Sequence, residues 1–231
     1  MYQKVKLSKR QIREDKFTAF MLKSKSWFED NWQFVAIGVV VVIIAAVGLT
    51  YYVSSQETGQ REAATALARA MGEYSGGNIQ LAKSSLEGLV EQHGGDIAQK
   101  ATFMLGRINY QTRNYQQAID WWRKYTSKYR GDKFNLAAAL AGIAACHEDQ
   151  ARYAEAAATF EEAHGVFPDG PLAGDYLLGA MRNFLLQDDA ESAYAKLEII
   201  SEEYAGTTVA QDATRLFYEH FPGYTFEQAG D

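Results

Sequence analysis

Four alanines, Ala82, Ala118, Ala156 and Ala193, recur at intervals of 36, 38 and 37 residues, and their surroundings recur with them. Four residues after each stands a bulky apolar group, Leu86, Trp122, Phe160 or Leu197; four before stands Asn78, Asn114, Arg152 or Asp189. Three of these last four carry oxygens that accept from the free backbone N–H groups of a starting helix. Ile79, Tyr115, Tyr153 or Ala190 comes three before the alanine. Gly94, Arg130, Pro168 or Ala205 comes twelve after it, where the spacing predicts that a helix stops. Each period therefore reads as helix, turn and second helix, a unit that buries its apolar face only against a stacked neighbour. The competing reading is a helical bundle with accidental alanine spacing. Agreement of four positions weighs against it, although irregular helical-hairpin solenoids produce a similar pattern.

The units resemble tetratricopeptide repeats. In the second unit the likeness is carried by Leu105-Gly106, Asn114-Tyr115, Ala118 and Trp122. In the third it is carried by Ile143-Ala144, Arg152-Tyr153, Ala156, Phe160, Ala163 and Pro168. Small residues let two helices approach closely, while large ones fill the space between that pair and the next. The end units depart from the pattern: Gly76-Gly77 is expected to lengthen the first turn, and Met181 stands where a small residue is usual. A closing helix is expected near residues 208–220, with Thr208 and Gln211 at capping-box spacing and Ala213, Leu216 and Phe217 covering the end of the stack. Pro222-Gly223 should then stop helical structure and leave a short tail that frays.

A second feature is a run without charge from Phe34 to Val53. Twenty helical residues span roughly 30 Å, the thickness of a bilayer core, and this helix lacks the polar face a soluble one needs. Trp27, Phe28 and Trp32 before it and Tyr51-Tyr52 at its end are placed as membrane-interface residues. Residues 1–33 hold eight basic and four acidic groups, a net of +4, whereas residues 54 onward hold 15 and 25, a net of −10; together these give the −6 of the whole chain. Because basic flanks are retained on the cytoplasmic side, the N-terminus is expected in the cytoplasm and the repeats outside it. A cleaved signal peptide fits less well, since the basic region is long and no small-x-small site follows Tyr52. The basic segment is also expected to form a helix, with Ser8 and Gln11 as a capping box and Phe17, Phe20, Met21, Trp27 and Phe28 as an apolar stripe. Lys16, Lys23 and Lys25 would reach anionic headgroups or a cytoplasmic partner; a solvated topogenic extension is the alternative.

The reading is thus all-α: a single N-terminal transmembrane helix, then a tetratricopeptide-like right-handed α-solenoid of about four helical hairpins plus a C-terminal capping helix. Its divisions are a basic cytoplasmic segment (1–33), the span (34–53), a short polar linker (54–60) and the repeat domain (61–231).

Catalytic signals are weak. Cys146 is alone and sits in an alanine-rich helix, as a small buried residue does. Neighbouring Cys146 and His147 point about 100° apart on a helix, so they do not converge on one metal. His93 and His164 suit the ends of second helices, and His220 is expected in solvent or against Phe217. Pairs such as Glu161-Glu162, Asp188-Asp189 and Glu202-Glu203 read as solvated faces. No glycine pattern cradles a phosphate, and a net of −10 repels nucleic acid. The chain is therefore expected to be no enzyme and to need no cofactor or metal.

What remains is protein binding. In a tetratricopeptide stack the first helices line a concave face that takes extended segments or helices. In this register the groove should display Lys100, Phe103, Arg107 and Tyr110 from the second unit and Ala138, Ala141, Ala145 and Glu148 from the third. Phe103, Arg107 and Tyr110 are expected to touch a partner; the alternative is that the aromatics pack between helices and Arg107 is solvated. The layout of basic segment, anchor and repeats, with the run Trp27-Phe28-Glu29-Asp30-Asn31-Trp32 at the entry to the anchor, resembles the ancillary subunit of the bacterial SecYEG translocon, the YfgM family. That resemblance implies a single-pass inner-membrane protein with a periplasmic repeat domain, placed at the channel exit beside a membrane-anchored chaperone and binding envelope proteins. Two other roles stay open: an accessory or assembly subunit of a larger membrane complex, and the recruiting subunit of an envelope enzyme.

Overall fold

The computed structural model describes the backbone over residues 9–224, and among the described residues every regular element is an α-helix. These are α1 (Lys9–Ser75), α2 (Ile79–Gln92), α3 (Gly95–Gln111), α4 (Tyr115–Lys128), α5 (Lys133–Asp149), α6 (Tyr153–Val166), α7 (Ala173–Leu185), α8 (Ala190–Glu203) and α9 (Thr208–His220). The chain divides into two compact units, 1–61 and 62–231.

The first unit carries the apolar run on α1. Within Trp27–Tyr52 the most apolar 18-residue stretch has a mean hydropathy of 2.7, and none of that stretch is buried against protein. By length and composition this helix can cross a membrane. Trp27, Phe28, Trp32, Tyr51 and Tyr52 are all exposed, at the two ends of that run. Thr50 donates its hydroxyl to the Val47 carbonyl at 2.9 Å, which satisfies its polar group without water. Asn31 interrupts the helical backbone, with φ −117° and ψ 15°, and its amide donates to the Trp27 carbonyl at 2.9 Å. Through the polar stretch Ser54–Gln60 the backbone remains helical. Phe20, Met21, Trp27 and Phe28 of the expected stripe are exposed; Ser8 of the expected capping box, and the side chains of Lys16 and Phe17, lie outside the described residues.

In the second unit the end of α1 packs with α2, and α3/α4, α5/α6 and α7/α8 follow as hairpins, each stacked on the next, with α9 closing against α7 and α8. The four alanines that set the period are completely buried. All four hairpins turn by one device. The second residue before the second helix takes a left-handed conformation: Gly77 (φ 82°), Arg113 (59°), Ala151 (56°) and Asp188 (56°). The next N–H then reaches back five residues, Asn78 to Glu73, Asn114 to Asn109, Arg152 to His147 and Asp189 to Phe184. This is a Schellman closure, and its last residue is at once the N-cap of the following helix. Gly76-Gly77 therefore does not lengthen the first turn, because Gly77 simply occupies the left-handed position.

The second helices start where the spacing places them, but the capping chemistry differs. Asp189 accepts from the Ser192 N–H at 3.0 Å, whereas Asn78 and Asn114 make no side-chain cap. Asn114 instead donates to Thr112 Oγ1 at 2.9 Å. At α9 the cap is Thr207 rather than Thr208, its hydroxyl accepting from Ala210.

Aromatic wedges hold the stack together. A Cβ at Gly106 or Gly142 would stand within 2.6 Å of the Trp122 ring, so α3 and α5 both approach this indole closely from positions that only glycine leaves open. Phe160 repeats the contact against Gly179, one unit on. Each bulky residue four after an alanine thus fills the gap between its own hairpin and the next. Met181, the misfit of the fourth unit, is fully buried in the last core cluster with Leu197, Ile200 and Phe217.

Candidate protein-binding groove

First helices of successive hairpins supply one cavity of about 210 Å³. Leu67 and Met71 come from the end of α1, and Asp96, Gln99, Lys100, Phe103 and Met104 from α3. Tyr125 of α4, with Asp132 and Asn135 at the start of α5, completes it. The Gln99 amide donates to the Tyr125 hydroxyl oxygen at 2.8 Å, and Phe103 meets the Tyr125 ring edge-on at 5.4 Å. Lys100 pairs with Asp96 at 2.7 Å, both well exposed, so this pair orients the rim more than it stabilises the fold. Burial raises the Tyr125 pKa, the Gln99 hydrogen bond opposes this, and the Asp132 and Asp96 charges add to the rise.

Of the residues expected in the groove, Lys100 and Phe103 come together in this cavity. Arg107 is exposed one turn further along α3, without an ion-pair partner among the described residues. Tyr110 packs within the stack, 6.0 Å from Tyr115 and 6.1 Å from Trp122. Burial and the neighbouring Asp149 carboxylate push its hydroxyl up to about 12. Glu148 is taken up by an inter-hairpin link. Arg182 of α7 grips its carboxylate with Nε at 2.9 Å and Nη2 at 2.7 Å, and Asn183 donates at 2.9 Å. Ala138, Ala141 and Ala145 are half-buried.

The reading of the sequence missed Leu67, Met71, Asp96, Gln99, Met104, Tyr125, Asp132 and Asn135. A signal for two of them was present: one period of 36 before Phe103 and Arg107 lie Leu67 and Met71. Elsewhere, side chains with chemical potential are occupied or suppressed. Burial, aided by Asp149, pushes the Cys146 thiol up to about 12, which favours the protonated thiol at neutral pH. His147 is buried, which lowers its pKa, and its Nδ1 has no hydrogen-bond partner. His220 is exposed, 2.9 Å from Asp188, and its ring lies against Phe221 rather than Phe217.

Solved structures with the same architecture include a tetratricopeptide repeat protein from Parabacteroides merdae. It is 12% identical with a TM-score of 0.57, over 69% of this chain and 60% of that one; this chain thus spans less than two thirds of that protein's length. A second is the Podospora anserina putative kinesin light chain with nearly identical TPR-like repeats, 13% identical with a TM-score of 0.53, over 68% of this chain and 85% of that one. At these identities the likeness concerns the fold. Among curated proteins nothing matches. The tetratricopeptide fold is typically a non-catalytic scaffold for protein–protein interaction. The tetratricopeptide repeat-like domain family matches residues 25–194, more than half of the chain and all four of the repeated turns, and this chain belongs to that family.

Proposed function

We propose that this chain is a membrane-anchored, non-enzymatic scaffold whose exported repeats hold segments of other proteins. The single observation that carries the binding role is the cavity between α1, α3 and α5, which has an apolar floor and a polar rim on the first-helix face. Anchoring is supported by the exposed apolar run and its aromatic ends. The charge split, +4 before the run and −10 after it, supports a cytoplasmic N-terminus and a periplasmic repeat domain at the inner membrane. In this account 1–33 is the cytoplasmic segment, 34–53 the span, 54–60 a helical connection and 61–231 the binding domain.

The finer role is that of an adaptor or chaperone at the exit of the protein-translocation channel, in line with the resemblance to the SecYEG ancillary subunit. Affinity purification of the full chain in mild detergent tests it. Co-purification of a SecY-type channel with exported polypeptides is the expected result. A stoichiometric respiratory complex, or a hydrolase or synthase, would replace this role with that of an accessory or recruiting subunit. For the exposed end of the groove, Arg107→Glu should weaken capture of the co-purified protein without lowering the melting temperature; unchanged capture removes Arg107 from the contact surface.

A further inference from the structure

The cavity between the end of α1, α3, α4 and α5 has a definite chemical character. Its floor is apolar and deformable, made by Leu67, Phe103 and Met104, with Met71 at the mouth, 43% exposed. At about 210 Å³ it is larger than the roughly 150 Å³ apolar cavity that takes up benzene, so an aromatic ring fits. Methionines are unbranched and polarisable, and they repack around rings of different outline. The rim is of the opposite kind. Lys100, the one cation among the lining residues, is paired with Asp96. Among the described residues Asp132 meets neutral donors there, the backbone N–H and the side-chain amide of Asn135. Both carboxylates act on the Tyr125 hydroxyl, so the negative potential reaches the inner wall.

We infer that this cavity takes a bulky apolar side chain, aromatic by preference, from a polypeptide segment that carries a lysine or arginine beside it. The ring lies among Leu67, Met71, Phe103 and Met104, and the neighbouring cation faces Asp132. Charge complementarity selects this occupant, because an acidic segment would set its carboxylates against Asp96 and Asp132. The net −10 of residues 54 onward extends the same preference to approach from a distance. The assignment rests on the reading of this face as a polypeptide-binding surface and narrows it to a class of segment.

Three fluorescein-labelled peptides of equal length test it, with Lys-Phe-Lys, Glu-Phe-Glu or Lys-Ser-Lys at the centre. Each is titrated by fluorescence anisotropy against the full chain in nanodiscs of zwitterionic lipid, with empty nanodiscs as the blank. The Lys-Phe-Lys peptide should bind at least about tenfold more tightly than Lys-Ser-Lys, the factor expected from one buried aromatic side chain, and more tightly than Glu-Phe-Glu, whose carboxylates face Asp96 and Asp132. Met71→Lys, at an exposed position, should abolish that advantage while the melting temperature stays unchanged. Equal affinity for all three peptides, or a Met71→Lys variant that keeps the preference, overturns the inference. The two levels separate. If all three bind equally, the cavity's selectivity falls and the polypeptide-binding surface stands; if neither these peptides nor a chemically unfolded envelope protein binds, both fall.

Discussion

Two helices of this chain are apolar nearly all round, and they meet that condition in different ways. Along α5 the run Leu136 to Cys146 is made mostly of alanine and glycine, and α3, α4 and α6 pack against it. Along α1 the run Val39 to Ile44 is made of valine and isoleucine, and all six side chains are exposed. Small residues allow a helix to be enclosed by other helices at short distance. Branched residues facing outward need an apolar medium instead. On the reading proposed above, protein surrounds α5 and lipid surrounds α1. Uniform apolarity tells that a helix is enclosed, and residue size tells by what.

The largest effect should come from the wedge that closes the stack against α5. Trp122→Ala leaves a void between Gly106 and Gly142, and should cost about 3–5 kcal/mol of stability, read by chemical denaturation of the repeat domain. Melting close to that of the unchanged chain would mean that the ring is not the spacer between hairpins. In α1 the corresponding break is Val41→Arg, which places a charge at the middle of the run. Membrane insertion should lose about 2.5–3.5 kcal/mol, seen as protein lost from the membrane fraction while the repeats remain folded. Full retention would contradict a lipid surround. Gly142→Ala is milder: its Cβ would clash with Trp122, at about 1–3 kcal/mol for overpacking. The smallest effect should be a gain. Ala151 holds a left-handed conformation that costs a residue with a Cβ roughly 1–2 kcal/mol, against about 0.5–1 kcal/mol for the greater chain freedom of glycine. Ala151→Gly should therefore raise stability by a few tenths to one kcal/mol, and a fall in melting temperature would deny strain at that turn.

Much of this fold was legible because its information is local. The second helices begin at Ile79, Tyr115, Tyr153 and Ala190, each three before a period alanine. The turn chemistry was less so. Nothing in the residue types Arg113 and Ala151 announces a left-handed backbone, which is imposed by two helices closing on each other; Gly77, and to a lesser degree Asp188, are residue types that adopt it readily. Two of the ten residues that line the candidate site were legible for the same reason. Lys100 and Phe103 share a helix face, so periodicity finds them. Tyr125, Asp132 and Asn135 reach the cavity only through the packing of α4 and α5. Glu148 looked available from its place on α5, but its partners Arg182 and Asn183 lie 34 and 35 residues away. Only stacking brings them together.

The central claim is that α1 holds the repeats on the far side of a membrane. A reporter enzyme that folds only in the exported compartment, fused after Asp231, tests this most directly. The account predicts an active fusion in the membrane fraction. An inactive fusion present at normal abundance would contradict it.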